Sequence, residues 1–84
     1  MRRSIDDARD DHPSGDEERP PVSWAVALSD DCEGCGEGEP RVVLTLEEID
    51  RAGMGVVAHL GPANARRLRT AIGDALREIG AADD

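Results

Sequence analysis

The sequence predicts an α+β fold: a small three-stranded antiparallel meander with one C-terminal amphipathic helix packed on one face, in the order β-β-β-α. Three observations carry this reading. Residues 62–79 hold an apolar stripe at helical spacing, three segments of six or seven residues alternate apolar with other side chains, and short stretches join them. Short connections between sequential strands favour antiparallel neighbours.

The helix is the clearest element. Pro62 suits the first helical position, where a missing N–H costs nothing and the fixed φ is already helical. Ala65, Leu68, Ile72, Ala75, Leu76 and Ile79 then recur at spacings of three, four and one. On a helix they fall within a stripe roughly 100° wide, as expected for a helix lying on a core. Arg66, Thr70, Gly73 and Arg77 take the opposite face, with Arg67, Asp74 and Glu78 on one flank and Arg69 on the other. Gly80 follows the last apolar residue and suits the position just past a helix end.

The strand segments precede it. Residues 23–29 alternate Trp24, Val26 and Leu28 against small or polar neighbours, the pattern of a half-buried strand. Residues 41–47 place Val42, Leu44 and Leu46 on one face and Val43, Thr45 and Glu47 on the other. Residues 55–60 alternate Val56, Ala58 and Leu60 against Val57 and His59. In the middle region a rival pattern exists: Thr45 with Glu48 matches a capping box, and Gly53 could close a short helix over 46–52. The favoured reading is a strand to about Glu47 followed by a turn. In this meander Trp24, Val26, Leu28, Val42, Leu44, Leu46, Val56, Ala58 and Leu60 face Leu68, Ile72, Leu76 and Ile79. The outer sheet face shows Ala25, Ala27, Val43 and Val57, an apolar patch that calls for a partner, with a second copy the simplest one.

Charge divides the chain further. Its 84 residues make one domain at most, with a formal net charge of −9. Residues 1–21 contribute −3, residues 22–40 −5, residues 41–60 −1 and residues 61–84 zero. Residues 1–21 hold one large aliphatic, Ile5, and three prolines, too little apolar area to offset ordering entropy. They read as a disordered acidic tail, ahead of a single domain over 22–80 with a flexible acidic loop at 30–40. Residues 81–84 read as a disordered C-terminus. All ten basic residues are arginine, which points to a high-GC bacterial genome rather than a functional choice. The acidic balance disfavours nucleic acid as a partner. The absence of a long apolar run disfavours a membrane span or secretory signal and makes the cytoplasm the default compartment.

Two clusters carry candidate chemistry. Cys32 and Cys35, in Asp-Cys-Glu-Gly-Cys-Gly at 31–36, have the spacing of one zinc knuckle. A structural zinc needs four ligands, and only His12 and His59 could add to the pair, so one chain offers half a site. A redox role is disfavoured because the surrounding acids raise thiol pKa, which leaves an acidic loop with incidental thiols as the plainer reading. The second cluster is Arg66, Arg67 and Arg69, one turn inside the helix, with Arg77 further along. With N–H groups at Ala63 to Ala65 these guanidinium groups could hold a phosphate or carboxylate; a solvated polar face is the plainer alternative. Catalysis is disfavoured by inventory, since neither histidine has a nucleophile and acid near it in sequence and no phosphate-binding glycine loop follows a strand.

The stretch VVAHLGPANARRLRTAIGDALREIG resembles the strand-then-helix ending of many small actinobacterial proteins. In these an amphipathic strand leads through a leucine and a Ser/Thr/Gly-Pro step into an Ala-Arg-x-Leu helix. The resemblance covers about the last third of the chain and implies that local fold, with no activity or site residue attached. The sequence therefore leads to a non-enzymatic protein-binding or regulatory module without a cofactor. Its candidate binding residues are Arg66, Arg67, Arg69, Arg77, Val43 and Val57, and its partner is another protein or a second copy. The alternative is a small zinc domain built on Cys32 and Cys35.

Overall fold

The computed structural model describes residues 2–12, 19–30, 34, 39–49, 53 and 55–81. The order of elements is β1 (Arg2–Arg9), β2 (Val22–Ser29), β3 (Arg41–Glu48), β4 (Gly55–Leu60) and α1 (Pro62–Glu78). The strands form one antiparallel sheet in the order β1-β2-β3-β4. The fold is thus α+β with a C-terminal helix, and the meander has four strands where the sequence suggests three.

The additional strand is β1, in the segment expected to be a disordered tail. Its sequence RRSIDDAR lacks an apolar alternation, and all eight residues are exposed. What holds it is the backbone ladder to β2, from Arg2 opposite Ser29 to Arg9 opposite Ser23, with a bulge between Ser4 and Asp6. Beyond the strand, the Asp10 N–H donates to the Val22 carbonyl at 2.8 Å. A charged, bulged strand is a common way to finish a sheet edge, and hydrophobic pattern alone is blind to it. The rest of the expected tail, 13–18, lies outside the described residues, as do most of the acidic loop and residues 82–84.

The β2, β3 and β4 registers follow the alternation. Trp24, Val26 and Leu28 stand opposite Leu46, Leu44 and Val42, which in turn stand opposite Val56, Ala58 and Leu60. These residues share the face that α1 covers. β3 runs to Glu48 as a strand, so the helix considered for 46–52 does not begin at 46. The Ile49 N–H extends the ladder by donating to the Pro21 carbonyl at 3.0 Å. At Gly55 a Cβ would sit 3.0 Å from the Leu46 carbonyl oxygen, so this strand start is made for glycine.

Helix α1 begins at Gly61, which offers no side-chain cap, with Pro62 in the first turn. It ends in a Schellman motif. The Gly80 N–H donates to the Arg77 carbonyl at 3.1 Å and the Ala81 N–H to the Leu76 carbonyl at 2.9 Å, with Gly80 at φ +73°. Glycine meets that left-handed conformation without a Cβ penalty.

Packing departs from expectation in two ways. The helix rests chiefly on β3 and β4, yet none of its residues is buried. Ile72 keeps 54% and Ile79 76% of its surface exposed, so the apolar stripe is only half used. Conversely, Val43, expected on an open outer face, is 1% exposed and is the one buried apolar residue described. It occupies a central strand, flanked in register by Ala27 and His59, whereas Val57 on the outermost strand keeps 53%.

Candidate functional site

A cleft with a volume of about 310 Å³ lies between α1 and the sheet. Its floor is Val26, Val42, Leu44 and Leu60, one residue from β2, two from β3 and one from β4. Its wall is the helix, through Ala65, Leu68 and Ile72, with Arg66 and Arg69 also lining it. Period-2 side chains of the sheet and period-3.6 side chains of the helix converge here because α1 follows β4 after one residue, Gly61. The helix must therefore turn back across its own strand.

The arginine cluster divides. Arg66 and Arg69 border the cleft, where an apolar floor lies beside two guanidinium groups. Arg67 and Arg77 do not line it, and Arg77 pairs with Asp74 one turn away on the helix surface. Of the N–H groups considered for an anion, that of Ala65 is committed to the Gly61 carbonyl at 2.9 Å, which weakens the helix start as an anion cradle. Val57 lies exposed on the opposite sheet face, and the burial of Val43 removes it from that patch. Cys32 and Cys35 lie outside the described residues. Among the described residues no group of three or more His, Cys, Asp or Glu side chains could hold a metal ion.

A polar cleft of about 350 Å³ at one end of the sheet was not legible in the sequence. Asp10, His12, Arg19, Pro20, Val22 and Glu48 line it. The pairing of β1 with β2 and of β2 with β3 brings the ends of these segments together. The Val22 N–H donates to Asp10 Oδ1 at 3.4 Å, tying the return of the chain to the end of β1. Only the missed strand β1 places His12 near Glu48, so no local signal could have found the site.

Comparison with protein-family models, with curated proteins and with solved structures gives no match. Among the described residues no helix is long and apolar enough to cross a membrane.

Proposed function

We propose that the chain is a non-enzymatic protein-binding module whose contact surface is the helix side of the sheet. The observation that carries this reading is the half-used helix stripe. Leu68, Ile72 and Leu76 keep 38%, 54% and 39% of their surface exposed, and Leu46 and Val56 on the same side keep 42% and 70%. Contiguous exposed apolar surface with a polar rim is characteristic of association sites. Arg66 and Arg69 supply such a rim, and arginine is favoured at interfaces because its planar fork binds carboxylates while its stem covers apolar surface.

A photo-crosslinking residue placed at Ile72 in the full chain, irradiated in the source cells, tests the reading. A discrete protein adduct at position 72, absent when the same residue replaces Asp6 on β1, is the expected result. No adduct at 72, or equal labelling from both positions, would refute a binding surface on the helix side.

A further inference from the structure

We infer that the unguarded edge of β4 docks a second copy of this chain. Two β4 strands pair antiparallel across a twofold axis and join two four-stranded sheets into one of eight, with the two α1 helices side by side above the seam. The inference deepens the protein-binding reading and rests on it, naming the partner and the strand that receives it.

The two edges of the sheet are built differently. β1 carries Arg2, Arg3, Asp6, Asp7 and Arg9 and is broken by a bulge. Charge and bulging are the devices by which natural sheets prevent edge-to-edge pairing. β4, Gly-Val-Val-Ala-His-Leu, has no Asp, Glu, Lys, Arg or Pro. Its register with β3 runs unbroken from Gly55 to Leu60. Its Val56 and Val57 are 70% and 53% exposed, one on each face. A straight, apolar outer strand is a template for another strand.

The position of the helix fits a twofold seam. α1 rests on β3 and β4, which centres it about half a strand spacing inside β4. A dyad between two paired β4 strands lies another half spacing outside. With strands about 4.8 Å apart, the two helices then stand about 10 Å apart, at the upper end of the usual 8–10 Å packing distance. Arg66 and Arg69 share the cleft with Val26 of β2, so they lie on the flank turned away from the seam. At 100° per residue the opposite flank carries Ala71 and Ala75, small enough for close approach, with Arg67 and Glu78, of opposite charge, beside them.

Because the contact is isologous and β1 is guarded, assembly closes at two copies.

Sedimentation velocity on the full chain, from about 1 to about 100 μM, reads the association directly. The expected result is a concentration-dependent species of twice the chain mass. Val57→Lys sets like charges near the dyad and raises the dissociation constant at least about tenfold, while Ser4→Lys on β1 leaves it unchanged. Circular dichroism confirms that each variant is folded. Should Val57→Lys fail to fold, a photo-crosslinker at Ala71 decides: a homodimeric adduct is expected, with none from the same residue at Ala8. A chain that stays monomeric throughout, or a dimer indifferent to Val57→Lys, overturns the inference. Monomeric behaviour together with an adduct to a different protein from position 72 overturns the dimer and leaves the protein-binding reading standing. Monomeric behaviour with no adduct from position 72 overturns both.

Discussion

Val43 and Val57 lie on the same face of the sheet, on adjacent strands, and the sequence gives no reason to treat them differently. The structure does: Val43 is 1% exposed and Val57 53%. Truncating Val43 to alanine removes about two buried methylene equivalents, at about 0.8 kcal/mol each. The cavity left in a central strand adds to this, for a total of roughly 2–3 kcal/mol. Val57→Ala removes atoms that are already half in water and costs less than about 1 kcal/mol. The lost β-propensity is common to both and cancels in the difference. Urea unfolding followed by the fluorescence of Trp24, the only Phe, Tyr or Trp residue in the chain, measures the contrast. The protein is kept dilute enough that any dimer is dissociated. With a urea slope of about 1 kcal/mol per molar for a chain this small, the two midpoints should differ by more than about 1 M. Midpoints within about 0.3 M of each other, or a larger loss for Val57→Ala, would refute the assignment of Val43 as the buried anchor.

Other expectations follow from the same geometry. Gly80→Ala meets no neighbouring atom within 4 Å, so its cost is conformational, roughly 1 kcal/mol, read as a thermal midpoint lowered by about 4–8 °C. Asp74→Asn breaks the exposed pair with Arg77 and costs less than about 0.5 kcal/mol, an effect that vanishes in about 1 M salt. Deleting residues 1–9 removes the guarded edge and bares β2, whose Val22–Ser29 carries no charge. Light scattering should then rise with time at concentrations where the full chain stays clear.

The helix and three of the strands were legible because each turns an apolar face toward the other layer, and that two-sidedness writes a period into the sequence. Pro62 and Gly80 marked the helix ends for equally local reasons, a missing N–H and a left-handed φ. β1 was illegible because its stabilisation is the backbone ladder to β2, to which side-chain pattern contributes nothing. Asp10 and His12, which follow that strand, line the polar cleft with Glu48, so missing the one hid the other. The arginine cluster was visible as a run, but only the position of the helix over the sheet separates Arg66 and Arg69, which line the cleft, from Arg67 and Arg77, which do not.

By itself, then, the sequence determined the α+β class, the alternating faces of β2 to β4 and the extent of the C-terminal helix, since propensity, period and capping act over a few residues. Tertiary structure alone decided that the acidic N-terminus supplies an edge strand, that Val43 is buried while Val57 is not, and that the helix leaves half its stripe open. Those outcomes depend on which strand lies beside which and on how far a helix overlaps a sheet. Such relations between distant segments leave no periodic trace in either one.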